Sequence, residues 1–409
     1  MDAKPKFTER KYLLVLLFVT SLFLMWGISM TLGDVLNRHF QNVLHVSKAR
    51  SAYVQFSIFG AYFVMGIPAG LFMKRFGYKN GVLLGLLLYS VGAFLFIPAA
   101  DAESFTFFRV ALFILACGMA TLETVAHPFV ASLGDQRTSD QRINFAQAFN
   151  GVGGIIGPII GSSVIFAGEQ DLVSVKHLYI TIGAVIAVIA IAFAFVKVPA
   201  LTDPHIVATD SYSAAEAPHP DKKLFHHKHF VFAVIAQLFN VAAQGGTWAF
   251  FINYGHEVMH FSDANASRFF ALSMVMMMTG RFAGTFLMRF IAPYKLLAAF
   301  ALANIVMCLI VAQGFGWVSF VALLFINFFF SIMFPTIFSL GLKNMGKQTQ
   351  QASSFIVMGV VGGGLFPLLM GLVANHSVAH AYYLPIICYA VIFLFGFNYK
   401  RLNKSTVAA

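Results

Sequence analysis

The chain is a succession of long apolar segments separated by short polar ones. Windows of about 20 apolar residues, bounded by charged or turn-forming residues, occur twelve times. A helix of about 20 apolar residues crosses the hydrocarbon core of a bilayer, so the pattern predicts twelve transmembrane helices. The predicted spans lie near 12–37, 51–73, 81–99, 105–131, 143–166, 178–196, 230–254, 266–288, 296–315, 317–341, 351–374 and 381–399.

Composition agrees with this interpretation. The 409 residues are 59% hydrophobic and 11% charged, whereas a soluble domain is about 25% charged. So few charges cannot cover a water-soluble particle, and we expect an all-α membrane protein in a lipid bilayer. The three cysteines lie in separate spans without metal-ligand spacing, which excludes a disulfide scaffold and a zinc site. We expect no metal and no other cofactor.

The basic residues predict the orientation. The net charge is +11, and 20 of the 27 lysines and arginines fall in the tails and in alternate loops on one side. Because positive loops stay in the cytoplasm, both termini are predicted to be cytoplasmic, in the cell (inner) membrane. The positive charges therefore determine the orientation in the membrane, and we expect no nucleic-acid partner. The first apolar run lacks a cleavage site after it and is predicted to be an uncleaved span.

The longest polar stretch lies halfway along the chain. Residues 199–228 contain several prolines and scattered charges, and they predict a cytoplasmic linker. We therefore predict an N-terminal six-helix half at 1–198 and a C-terminal six-helix half at 229–409.

An internal repeat supports two related halves. The pattern G-x-F-x-x-R-F occurs from Gly70 and again from Gly284, 214 positions later. A second pattern, P-x-x-x-S-L-G, begins at Pro128 and at Pro335, and each copy precedes a glycine-rich span. Because the period is six spans, the halves should be related by an axis along the membrane normal. This architecture predicts a substrate site at the bilayer midplane.

Several motifs in the chain resemble those of a known protein family. The segment from Gly70 to Lys79, G-x-x-x-K-R-x-G-Y-K, resembles the loop motif of the major facilitator superfamily, with Lys74 where an acid is usual. The motif ETVAHP that begins at Glu123, QGGTW from Gln244 and FPTIFSLG from Phe334 resemble the fucose:proton symporter family over about residues 18–400. Gln244 with Trp248 is more similar to the L-fucose branch than to the glucose/galactose branch.

Two features depart from that family. His127 stands where the motif E-T-x-x-N-P has asparagine, and Met30-Thr-Leu-Gly33 replaces an asparagine-rich approach to the acid of span 1. Both features lie near the expected cavity, so they bear on the choice of substrate more than on the mechanism.

Two acids lie within or beside predicted spans. An ionised carboxylate is costly inside a bilayer, so Glu123 in span 4 must face a cavity or partner, or be protonated for part of the cycle. From the residues alone Asp34 is either functional or a residue at the outer mouth of span 1. The resemblance implies that both are the family's proton-coupling acids. His127, one helical turn after Glu123, is either a proton partner for it or a packing residue.

Polar span residues are candidate sugar ligands. Amides match the paired donors and acceptors of sugar hydroxyls, and an aromatic plane packs on the ring face. The alternative role of each amide is a hydrogen bond between helices. The predicted substrate-binding residues are Gln147, Asn150, Gln244, Trp248 and Asn253.

A further group is expected to be structural or to gate the transporter. It comprises the repeated loop residues and one arginine inside span 8, which either pairs with a backbone carbonyl or extends to the cytoplasmic interface. These residues are Gly70, Arg75, Gly77, Arg281 and Arg289.

The resulting hypothesis is proton-coupled uptake of a monosaccharide by alternating access. The resemblance implies L-fucose or a related hexose as substrate, carried with a proton by a monomer. The alternatives are another sugar, such as glucose, galactose or N-acetylglucosamine, by symport or uniport, and a drug/proton antiporter. An enzyme is not expected, because no nucleophile elbow, phosphate loop or paired metal ligands occur at a span end.

Overall fold

The computed structural model describes residues 7–134, 139–167, 171–196, 224–343, 345 and 349–407. Within these ranges, twelve helical segments are long and apolar enough to cross a membrane, which confirms the predicted number of spans. Numbered in chain order, spans 1 to 12 are Arg10–Val43, Lys48–Met73, Arg75–Asp101, Phe105–His127, Phe145–Ile165, Leu172–Phe195, Lys228–Ala249, Asp263–Leu287, Pro293–Ala312, Trp317–Leu342, Phe355–Ala374 and Val378–Asn403.

Span 1 is longer than its apolar stretch. Its helix continues past the predicted end near residue 37 to Val43, so Arg38, Gln41 and Asn42 are helical. The side chains of these three residues form hydrogen bonds with other parts of the protein, and these bonds allow polar residues to continue the helix.

The other helices of the first half are Lys48–Ser51, Tyr53–Phe94, Phe96–Asp101, Phe105–Ser132, Ser139–Ile160 and Leu172–Phe195. The helical path from span 2 into span 3 has a kink at Gly77, where φ is 82°. This positive φ favours glycine. Span 5 ends in one π-helical turn, Gly161–Ile165, just after Pro158. A π turn after a proline fits the backbone hydrogen bond that proline cannot donate.

Four spans of the second half are interrupted among the described residues, and in span 12 the break lies between Ala381 and Leu384. Span 7 ends at Ala249 and is followed by a short helix, Phe251–Glu257. Span 10 consists of Trp317–Phe330 and Met333–Leu342, and span 11 changes from Thr349–Met358 through a 3₁₀ turn at Gly359–Val361 to Gly362–Ala374. The remaining helices are Asp263–Leu287, Pro293–Ala312, Val378–Ala381 and Leu384–Val407. Interruptions of this kind free backbone carbonyl and amide groups for other partners.

The chain divides into two compact units. Unit 1 comprises Met1–Gly33 and Gly60–Ala215, and unit 2 comprises Asp34–Phe59 and Glu216–Ala409. The end of span 1 and the start of span 2 thus belong to unit 2. Division of the sequence into halves at a linker of 199–228 stays a proposal, because residues 199–223 lie outside the described part of the chain.

Glycines bring helices together inside each unit. In unit 1, a Cβ on Gly153 would lie 2.2 Å from the carbonyl oxygen of Leu24 in span 1. In unit 2, a Cβ on Gly245 would lie 2.5 Å from the carbonyl oxygen of Gly363 in span 11. A side chain at either position would force the helices apart, so these glycines permit the packing of span 5 on span 1 and of span 7 on span 11.

Candidate functional site

Glu123 lies at the centre of a polar and aromatic cluster in unit 1. Its span 4 helix and span 1 together line a small cavity with Leu22, Phe23, Trp26 and Ala126. Tyr62 of span 2 lies close to the Glu123 carboxyl. The Trp26 indole Nε1 donates to the Tyr62 hydroxyl oxygen at 2.5 Å. The indole therefore fixes the position of the Tyr62 hydroxyl beside Glu123.

His127 joins this cluster through both ring nitrogens. Nδ1 lies 2.9 Å from the main-chain carbonyl oxygen of Glu123, and Nε2 lies 2.7 Å from Nε2 of Gln147. A carbonyl oxygen only accepts, so Nδ1 carries the proton and Nε2 accepts from the Gln147 amide. The edge of the imidazole also meets the Phe23 ring, with centroids 5.1 Å apart. His127 thus contacts the backbone of Glu123 and orients Gln147.

Gln147 and Asn150 lie on one face of span 5, three residues apart. The Asn150 amide nitrogen lies 3.3 Å from the carbonyl oxygen of Phe23 in span 1, and both amide side chains are half-buried. The fold therefore brings together Glu123, His127, Gln147 and Asn150, four residues that the sequence predicted separately. We call these four, with Trp26 and Tyr62, the Glu123 cluster.

Asp34 belongs to unit 2 and has its own partner. Its side chain is buried and accepts a hydrogen bond from the Gln55 amide of span 2. The ion pairs between described residues include neither Asp34 nor Glu123. The neutral Gln55 amide is thus the side-chain donor to Asp34, and the neutral Tyr62 side chain lies beside Glu123.

The predicted residues of span 7 have different surroundings. The Trp248 indole donates to Oδ1 of Asn327 at 2.8 Å, and the Asn327 amide donates to Ser273 at 2.9 Å. Gln244, one turn earlier, is half-buried. Asn253 is fully buried in the short helix after span 7, where its amide donates to Oε1 of Gln41 at 2.6 Å. Asn253 is thus bound to another protein side chain.

The residues that were expected to be structural or to gate the transporter lie within helices, except Arg289, which follows the span 8 helix in a turn. Arg75 is exposed and lies over the Phe76 ring, at 5.3 Å from its centroid. A Cβ on Gly70 would contact Thr124 at 4.0 Å, which is ordinary packing. Arg281 donates from Nε to the carbonyl oxygen of Ser331 at 3.4 Å, where span 10 is interrupted, and Arg289 lies 5.8 Å from the Phe286 ring centroid.

Sequence reasoning missed four polar residues. Tyr62 and Gln55 contact the two acids but occur singly in an apolar span, and hydropathy does not reveal which face of span 2 they occupy. Gln237 and Asn240 of span 7 are fully buried, and neither amide has a hydrogen-bond partner among the described residues. Their three-residue spacing, continued by Gln244, forms a polar stripe that helical periodicity could have revealed.

Comparison with known proteins adds independent information. The model of the Major Facilitator Superfamily matches residues 14–367. The L-fucose-proton symporter of Escherichia coli (strain K12) is 37% identical, with 95% of this chain and 93% of that protein aligned. The glucose/galactose transporter of Brucella abortus (strain 2308) is 34% identical, with 95% of each chain aligned.

Solved structures of transporters share the fold of this chain. The crystal structure of the transporter FucP in the outward conformation matches with a TM-score of 0.68 and 35% identity, covering 95% of this chain and 99% of that one. The D-xylose-proton symporter matches with a TM-score of 0.75 over 94% of this chain and 96% of that one. At 15% identity, this second match shows the fold alone.

Proposed function

The chain belongs to the major facilitator superfamily, and from this membership we propose that it takes up a monosaccharide together with a proton by alternating access. The Glu123 cluster is the observation that carries the proposal. It combines a carboxyl group, two amides and an indole inside membrane spans. The substrate is L-fucose or a related hexose, since the relatives are named as L-fucose-proton symporters and glucose/galactose transporters.

The chemistry of the cluster fits a sugar. A hexose presents hydroxyl groups that both donate and accept hydrogen bonds, and Gln147 and Asn150 each offer one acceptor and two donor hydrogens. Trp26 and Phe23 add flat apolar surfaces for the C–H face of a sugar ring. Few polar groups among aromatic side chains are typical of small-molecule sites. In the proposed role, Gln147 and Asn150 bind hydroxyls and Trp26 packs against the ring. For the C-terminal half we propose Gln244 and Trp248 as ligands.

The proposed proton carriers are Glu123 and Asp34. A carboxyl group inside a membrane span is stabilised by a nearby cation, by hydrogen-bond donors, or by protonation to the neutral acid. Gln55 supplies one neutral donor to Asp34, Tyr62 lies beside Glu123, and the ion pairs between described residues include neither acid. Protonation therefore remains available to neutralise each acid, and reversible protonation is what coupling requires.

The energy of the proton gradient is sufficient for accumulation. A membrane potential of about 150 mV supplies roughly 3.5 kcal/mol per proton, equivalent to a several-hundredfold concentration ratio of a neutral sugar. The basic loops predict cytoplasmic termini, and in this orientation inward proton flow corresponds to uptake. We propose the inner membrane as the location and a monomer as the transporting species.

The substrate is tested by uptake into proteoliposomes with an imposed inward proton gradient. The panel is L-fucose, D-galactose, D-glucose and N-acetylglucosamine, each radiolabelled. We expect L-fucose or a related hexose to accumulate. Asn150→Ala should raise the KM for that sugar. Asn398→Ala removes an amide that bonds to its own helix in span 12 and should leave the KM unchanged. Failure of every sugar to accumulate would contradict the proposal.

A further inference from the structure

The end of span 1 is fastened to the C-terminal spans by a row of polar contacts within unit 2. We propose that these contacts form an outer latch, made of Arg38, Asn42 and Asp263 with the pair Gln41 and Asn253, that must open and close in every transport cycle. This inference rests on the proposed alternating access. It assigns a conformational role to these residues, among them Asn253, which the sequence predicted as a sugar ligand and which the fold pairs with Gln41.

Asp263 is the centre of the latch. It is the first residue of the span 8 helix, and its side chain is 4% exposed. The carboxylate accepts from Nε of Arg38 at 3.0 Å and from the Asn42 amide at 2.6 Å, and His256 Nδ1 lies 3.0 Å away. A helix N-terminus also favours a negative charge. Three side chains from two segments thus converge on one buried carboxylate.

A second set of contacts lies beside Asp263. Gln41 and Asn253 pair through their amides, with 2.6 Å between Asn253 Nδ2 and Gln41 Oε1. The Asn37 amide donates at 2.6 Å to the carbonyl oxygen of Ala249, the last residue of the span 7 helix. This carbonyl is free because the helix ends there. Span 1 therefore occupies a backbone acceptor exposed by the interruption of span 7.

Lys48 continues the row beyond the end of span 1. Its Nζ lies 2.6 Å from Oε1 of Glu257 and 2.9 Å from the carbonyl oxygen of Ala374, where the span 11 helix ends. A Cβ on Gly371 would lie 2.7 Å from the Cα of Ala49, so the helix of Lys48–Ser51 packs closely on span 11. From Asn37 to Lys48 the chain is tied to spans 7, 8 and 11.

The polarity of these contacts indicates reversibility. Apolar residues would join helices at least as firmly as a buried ion pair, because ion pairs incur a desolvation cost. Polar side chains can instead form hydrogen bonds with water when the surfaces separate. In the proposed cycle, the end of span 1 and the start of span 2 separate from spans 7, 8 and 11 when the transporter opens outward. This movement breaks the contacts that residues 37–48 make with these three spans.

The latch and a proposed proton carrier share one helix. Asp34 lies one helical turn before Arg38, and Gln55 holds it from span 2. A change at Asp34 therefore acts on the same rigid segment that carries Arg38, Gln41 and Asn42. In this proposal, protonation of Asp34 acts on the latch through the span 1 helix that the two share.

The first test measures opening without any sugar. Ala249→Cys places a thiol at a buried position beside Asn37, in a background with the three native cysteines replaced. Labelling by a membrane-impermeant maleimide reports separation of span 1 from span 7. Asp263→Asn should raise the labelling rate about tenfold, which corresponds to a 1.4 kcal/mol shift towards the open state. An unchanged rate would overturn the latch.

A matched control separates the latch from a general effect of charge. Asp101 pairs with Lys176 at 2.5 Å within unit 1. Asp101→Asn should leave labelling of Ala249→Cys at the parental rate. Equal increases with Asp101→Asn and Asp263→Asn would overturn the assignment, because they would reflect loosening of the whole protein.

The second test locks the latch. A disulfide between Asn42→Cys and Asp263→Cys should abolish net sugar uptake, and a reductant should restore it. Parental uptake by fully cross-linked protein would overturn the proposal. Because labelling requires no substrate, an unchanged labelling rate counts against the latch, whereas absence of uptake in the unmodified protein counts against the proposed transport function.

Discussion

Nε2 of His127 and Nε2 of Gln147 lie 2.7 Å apart, with the imidazole as acceptor. A proton on this nitrogen would turn the acceptor into a donor, and the Gln147 amide would have to rotate to present its oxygen. The protonation state of His127 can thus decide which end of Gln147 faces a bound sugar. From this relationship we propose a role for the histidine at a position where related sequences are expected to have asparagine.

The first prediction concerns this pair. Asn at residue 127 does not titrate near neutrality, so His127→Asn should flatten the pH dependence of transport in the range where imidazole titrates. The measurement compares net uptake and sugar exchange from about pH 5 to 8. A change confined to net uptake would indicate a role in proton release, and a change in both would indicate sugar binding through Gln147. Unchanged profiles would leave His127 as a packing residue.

The second prediction separates coupling from binding. Glu123→Gln keeps a hydrogen-bonding group of the same shape but does not ionise, so this variant should exchange sugar and fail to accumulate it. Asp34→Asn should likewise impair net uptake. Glu103→Gln changes an exposed acid and serves as the control. Accumulation at the parental level by either span variant would show that the corresponding acid is structural.

The third prediction tests the Tyr62 hydroxyl. Tyr62→Phe removes the acceptor of the Trp26 indole N–H and the hydroxyl beside Glu123. The indole then loses the contact that holds it in the orientation proposed for packing on the sugar ring, so the KM for sugar should rise about tenfold, which corresponds to 1.4 kcal/mol. Tyr383→Phe, which removes a more exposed hydroxyl bonded to Gln313, should have little effect. Similar values for both variants would contradict the assignment of Tyr62 to the site.

The fourth prediction concerns stability. Both amide atoms of Asn240 are buried without a partner among the described residues, so Asn240→Leu should raise the Tm in detergent by removing an unsatisfied group. Asn327 is bonded to both Trp248 and Ser273, and Asn327→Leu should lower the Tm. A lower Tm for Asn240→Leu would show that its amide has a stabilising partner.

The fold follows from the sequence because each span carries its own signal. Each of spans 1 to 12 contains a long, predominantly apolar window, and the positions of glycine, proline and charge indicate the ends of most of them. The end of span 1 is the exception. Arg38 and Asn42 continue its helix because Asp263, 221 or more positions away, accepts their hydrogen bonds. A local pattern does not contain such a partner.

The candidate site was predictable only in part. Glu123 stands out because a carboxyl group is rare within a span, and His127, Gln147 and Asn150 are polar residues in similar surroundings. Tyr62 and Gln55 do not stand out, since tyrosine and glutamine are also common at helix interfaces. Asn253 has the expected residue type, yet its amide binds Gln41. Residue type indicates what a side chain can do, and the fold decides which partner it meets.

Coupling of the sugar to the proton is the central claim, and external pH in a lightly buffered suspension of proteoliposomes measures it most directly. With no gradient imposed, addition of the transported sugar should make the external medium more alkaline, because each sugar enters with a proton. Glu123→Gln should abolish this change, and a protonophore should dissipate it. Sugar entry without any change in external pH, at a rate unaffected by the protonophore when an inward proton gradient is imposed, would contradict proton-coupled uptake.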